Sequence, residues 1–96
     1  MPAYVIGSLK LQDPSWMAEY GRRIMPLLAR HGGRYVARGG QLETLEGGAP
    51  LPSGMVVIEF PSMDAARAWY NDPEYAPLIQ LRQSGSQAEI ILLAGL

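Results

Sequence analysis

The sequence contains no cysteine, and its 96 residues include one lysine, one histidine and one phenylalanine. Each scarcity excludes a class of function. Without cysteine there are no disulfides, no thiolate nucleophile and no thiolate metal site. With a single histidine, and no carboxylate at ligand spacing beside it, no metal site is expected. No serine stands in a nucleophile elbow, so a Ser-His-Asp triad is equally unsupported. Lysine and arginine total eight against nine acidic residues, a net charge of −1. No basic face is therefore available to neutralise a run of phosphates, and nucleic acid is not an expected partner. No apolar run approaches about 18 residues and the first residues carry no basic stretch, so neither a membrane span nor a signal peptide is expected. The default location is the cytoplasm.

What is present fits one small domain spanning residues 1–96. By interpolation a chain of this length buries roughly 65% of its unfolded surface, so further burial against a partner has value. Ala3-Tyr4-Val5-Ile6-Gly7-Ser8-Leu9 has the character of a strand. Asp13-Pro14 is a helix start, because Asp accepts from orphan amides and Pro is tolerated at the first helical position. The helix is predicted over residues 14–31, with Trp16, Tyr20, Ile24, Leu27, Leu28 and His31 on one face. Pro26 deprives the Arg22 carbonyl of its amide partner and predicts a kink. Gly32-Gly33 ends the helix.

A strand over Arg34–Arg38 follows, and Gly39-Gly40 is expected to turn it into a short hairpin partner near Leu42–Glu46. Residues 47–54 carry only loop chemistry. Met55–Phe60 is the next strand and Ser62 caps a second helix containing Ala65, Ala66, Trp69 and Tyr70; Ala65 in the fourth position rules out a full capping box. Asp72-Pro73 starts a third helical piece with Leu78, Ile79 and Leu81. Ala88–Ala94 is the last strand. Strand, helix, strands, helices and strand in this order give an α+β, ferredoxin-like pattern, an antiparallel sheet with helices on one face. Residues 55–60 and 88–94 are nonetheless apolar at odd and even positions alike, which leaves the second sheet face needing cover. A second copy of the chain, sheet against sheet, is the simplest cover.

Several of these segments also carry a family resemblance. Met1-Pro2-Ala3-Tyr4, Tyr20, Pro26, Gly32-Gly33-Arg34-Tyr35, Arg38-Gly39-Gly40, Leu45-Glu46-Gly47, Glu59-Phe60-Pro61-Ser62, Ala68-Trp69-Tyr70 and Pro73-Glu74-Tyr75 run co-linearly along the whole chain. In these the chain resembles the domain-of-unknown-function family thirteen-thirty (DUF1330), within the dimeric α+β barrel superfamily. The resemblance implies a ferredoxin-like protomer and a homodimer whose two sheets form a barrel. It implies no reaction.

The residues able to carry chemistry are few. Arg34 and Arg38, four apart on one strand, are expected on the same face, where they clamp a carboxylate or else pair with Glu43, Glu46 or Glu59. Gly39-Gly40 beside Arg38 lets the backbone approach a ligand. Glu59 interrupts an apolar strand, as a paired carboxylate or as a base. His31 is either a helix cap or a proton acceptor. Tyr20, Trp69, Tyr70 and Tyr75 form an aromatic wall for a planar metabolite or simply pack the helices on the sheet.

Three functions compete on these residues. The first is a small-molecule-binding homodimer holding an anionic or carboxylate-bearing metabolite through Arg38, Arg34, Arg82, Tyr20, Trp69 and Tyr75. The second, by superfamily analogy, is a cofactor-independent monooxygenase or isomerase with Glu59 or His31 as proton acceptor. The third is a structural or interaction module without a pocket. No cofactor is expected in any of them, and whether the chain is an enzyme stays open.

Overall fold

A computed structural model describes all 96 residues. The elements are β1 (Ala3–Leu11), a 3₁₀ turn (Pro14–Trp16), α1 (Met17–Arg30), β2 (Arg34–Gly39), β3 (Gly54–Phe60), α2 (Met63–Tyr70), α3 (Ala76–Gln83) and β4 (Ser86–Ala94). The four strands form one antiparallel sheet in the order β2-β3-β1-β4. The fold is ferredoxin-like, with the helices on one face. None of the helices is long and apolar enough to cross a membrane.

Local chemistry explains the element boundaries. The Asp13 carboxylate accepts the Ser15 amide at 3.0 Å and opens the 3₁₀ turn that leads into α1. At the other end Gly32 adopts φ +74°, the Gly32 amide donates to the Ala29 carbonyl and the Gly33 amide to the Leu28 carbonyl. This paired closure is a Schellman motif, and it requires a left-handed residue at Gly32. The Ser62 hydroxyl accepts from the Ala65 amide at 3.0 Å and caps α2. Pro26 lies inside α1 without ending it.

The core forms where α1, α2 and α3 lie on one face of the sheet. Ile24, Leu28, Ile58, Phe60, Trp69 and Leu78 are all buried there. Register defines the faces: Val5 lies beside Ile58 and Leu92 on the helix side, whereas Ile6 lies beside Val57 and Ile91 on the open side. On that open side Ile91 is 61% and Leu93 53% exposed.

Two expected elements differ. No strand forms near Leu42–Glu46; the chain runs irregularly from Gly40 to Ser53, and β2 pairs directly with β3. Pro50 and Pro52 offer no amide to a ladder, and Leu45, 91% exposed, has no core to pack against. The third helix begins at Ala76, later than Asp72-Pro73 suggests. Asp72 instead closes a turn, its carboxylate accepting the Glu74 amide at 2.9 Å and its carbonyl the Tyr75 amide at 2.8 Å.

Candidate functional site

Between the helices and the sheet lies a cavity of about 460 Å³, within the size range of small-molecule sites. Its floor comes from β1 and β3, where Gly7 keeps the surface low. Its walls are aromatic: Trp16 meets Tyr20 edge-on at 5.3 Å, and Trp69 lies against Tyr75 with ring centroids 4.5 Å apart. Arg38 from β2 and Arg82 from α3 complete the lining, which contains no carboxylate, no histidine and no lysine.

Arg82 is the electrostatic centre of this site. It is only 6% exposed, its Nε has no hydrogen-bond partner, and no carboxylate forms an ion pair with it. A buried guanidinium ordinarily has a partner, because leaving it unpaired is costly. The Trp16 and Trp69 indole N–H groups are likewise buried and unpartnered.

The tyrosines supply neutral hydroxyls. Tyr20 and Tyr75 join hydroxyls at 2.6 Å. Burial pushes the Tyr20 phenol well above its ordinary value, and the adjacent Tyr75 adds to the effect. Burial also raises Tyr75, although the hydrogen bond from Tyr20 and the charge and hydrogen bond of Arg82 oppose it. Tyr35 is raised by burial, against the pull of Arg38. All three remain protonated near neutral pH, so they donate hydrogen bonds and do not act as bases.

Of the residues singled out from the sequence, Tyr20, Arg38, Trp69, Tyr75 and Arg82 are brought together at the cavity. Arg34, Glu59 and His31 are not. The same-face expectation for Arg34 and Arg38 fails because a β-bulge lies between Tyr35 and Ala37. The extra residue reverses the alternation, so Arg34 faces Glu59 on the open side while Arg38 lies opposite Val56 on the cavity side. Arg34 binds Glu59 at 2.9 Å, and the Tyr4 hydroxyl donates to the same carboxylate at 3.1 Å. Glu59 is thus a paired carboxylate on the open face, away from the cavity. His31 Nε2 donates to the Asp72 carboxylate at 2.8 Å, tying the end of α1 to the turn before α3. Tyr70 borders a smaller neighbouring cavity and not the main one.

Trp16 and Tyr35 are lining residues that the sequence does not single out as site residues. Trp16 shares the α1 stripe with Tyr20, four residues on, which was a usable signal. Tyr35 gains its position from the bulge, and its ring lies 4.7 Å beneath the Arg38 guanidinium.

Comparison with solved structures gives the same fold. A protein of unknown function from Rhodopseudomonas palustris superposes with a TM-score of 0.80 at 25% identity, over 99% of this chain and 82% of the other. SnoaB, a cofactor-independent oxygenase from Streptomyces nogalater, superposes with a TM-score of 0.69 at 17% identity, over 99% and 93%. A dimeric ferredoxin-like protein of unknown function from Bacteroides fragilis gives 0.68 at 16%, over 98% and 96%. No protein of curated function matches the chain significantly in sequence. The pattern of the family described as "Domain of unknown function (DUF1330)" matches residues 2–96, and the chain belongs to that family.

Proposed function

We propose that the protein is a homodimeric binding protein for a small, carboxylate-bearing metabolite held between sheet and helices. The observation that carries this reading is Arg82, a guanidinium buried in the cavity wall without an acidic partner. An anionic ligand supplies the missing charge, and the aromatic walls favour a planar body beneath it. Tyr20, Trp69 and Tyr75 orient that body, and Arg38 stands on the same side.

The dimer is supported by the open face of the sheet. Ile91 and Leu93 are exposed beside Ile6 and Tyr4, an apolar surface suited to a second sheet. The similar proteins from Bacteroides fragilis and Thermobifida fusca are described as dimeric.

Binding is favoured over base catalysis. The likeness to SnoaB motivates a cofactor-independent oxygenase reading. In its base-catalysed form that chemistry needs a proton acceptor at the substrate, and the cavity lining offers no carboxylate or imidazole. Glu59 is committed to Arg34 and Tyr4, and His31 to Asp72. An interaction module without a pocket fits less well, because the cavity combines aromatic walls with unpartnered donors.

Thermal shift and calorimetric titration against a panel of planar carboxylates test the proposal, with wild type and Arg82→Met side by side. Saturable binding by wild type that disappears in Arg82→Met is the expected result. Equal binding by both proteins, or none by either, would overturn the reading.

A further inference from the structure

We infer that the ligand is a dianion, a planar compound with one acidic group seated on Arg82 and a second, at its other end, on Arg38. This rests on the binding proposal above and narrows its ligand class.

The two arginines line one cavity but stand apart. Arg38 belongs to β2, at one edge of the sheet, and it is exposed. Arg82 is on α3, which packs on β4 at the opposite edge, and its carbonyl accepts from the Ser86 hydroxyl at the start of that strand. β2 and β4 are three strand spacings apart, roughly 14 Å. Arg38 does not reach across this gap, because its guanidinium lies on the ring of Tyr35 in its own strand. Between the two cations come neutral phenols and apolar side chains, with no acid to compensate either charge.

A single carboxylate beside Arg82 therefore leaves Arg38 uncompensated. The neighbouring arginine is no substitute partner, since the bulge turns Arg34 to the open face, where Glu59 holds it. A planar ligand with acidic groups at both ends satisfies both cations at once.

The two contacts differ in weight. The pair at Arg82 is buried and little affected by salt, whereas the pair at exposed Arg38 is screened. Arg82 therefore decides whether an acid binds, and Arg38 decides whether a diacid binds better than a monoacid.

Calorimetric titration of terephthalate, the longer biphenyl dicarboxylate and the monomethyl ester of each tests this. One diacid is expected to bind about threefold to fivefold more tightly than its own ester at low salt. That advantage should vanish in Arg38→Gln and shrink at high salt, while the ester's affinity stays the same in Arg38→Gln. Arg82→Met should weaken diacid and ester alike by at least tenfold, with its melting temperature confirming that it is folded. Diacids no tighter than their esters at either length would overturn the dianion and leave the binding proposal standing. Failure of all four compounds to bind would overturn the binding proposal and this inference together.

Discussion

Tyr20 on α1 and Tyr75 at the start of α3 share a hydroxyl contact of 2.6 Å that joins two helices at the cavity wall. Tyr75 is 2% exposed, so its hydroxyl has little access to water when Tyr20 is removed. Replacing either residue by Phe leaves the other hydroxyl without this partner, at a cost of about 1 kcal/mol or more. The double variant leaves no orphan and should cost less than the sum of the single changes. Urea unfolding of the four proteins gives the coupling; strict additivity would mean that the contact contributes nothing.

Arg82→Met should stabilise the unliganded protein. The substitution removes a buried charge that has no acidic partner and keeps a flexible apolar stem of similar length, which relieves the cost of burying that charge. Thermal unfolding without ligand is expected to show an unchanged or raised midpoint. A lowered midpoint would show that Arg82 contributes to the fold through its packing and needs no ligand to compensate it.

The elements that followed from the sequence were those with strong local signals. The Asp13, Ser62 and Gly32-Gly33 boundaries each rest on a cap or a turn that a few adjacent residues determine, and the apolar stripe of α1 needs only its period. That both faces of the sheet carry apolar residues also followed from the odd-and-even apolar pattern of Met55–Phe60 and Ala88–Ala94. The site was less legible. One extra residue in β2 reverses which face Arg38 occupies, and neither Tyr35 nor Val36 belongs to a type that marks a bulge. The lack of an acidic partner for Arg82 depends on where every carboxylate of the folded chain comes to lie. The Leu42–Glu46 segment was expected as a strand from the Gly39-Gly40 turn before it, but its two leucines are three apart and Leu45 has no surface to be buried on.

Asp72 should govern part of the acid sensitivity. Its carboxyl is held below the ordinary carboxylate range by the hydrogen bond from His31, by the Glu74 amide and by Arg30. The unfolded chain binds the proton more tightly than the native one, so this contribution is complete above the unfolded value of about 4 and is lost as pH falls through the lower native value. Asp72→Asn should therefore unfold with a shallower pH dependence below about pH 4 than wild type does. Denaturant midpoints measured between neutral and acid pH decide it, and parallel curves would show that Asp72 is not the group responsible.

Gly85 closes the turn between α3 and β4 against the Trp16 indole and the Asp13 carbonyl, and a Cβ there would overlap both. The Gly85 carbonyl also accepts the Gln12 and Asp13 amides at 2.8 and 2.9 Å, so displacing this turn disturbs the junction that seats Trp16 in the cavity wall. Gly85→Ala is expected to cost about 1–3 kcal/mol through overpacking and to alter the fluorescence of Trp16. Retained stability with an unchanged emission spectrum would show that the Gly85 turn accommodates a Cβ without displacing Trp16.

Ile91→Glu tests the sheet-to-sheet dimer with little risk to the protomer, since Ile91 points away from the helices and lies beside Ile6 on the open face. In an interface with twofold symmetry one substitution acts twice. Losing the burial of an isoleucine costs about 1.5–3 kcal/mol for each copy, before the cost of placing a carboxylate there is counted. Together these should weaken association by at least a hundredfold. Light scattering at micromolar concentration should give a dimer for wild type and a monomer for Ile91→Glu, with helical circular dichroism retained in both. A wild-type monomer, or a variant that still dimerises, would mean that the exposed Ile91 and Leu93 do not form the interface and that something else covers this face.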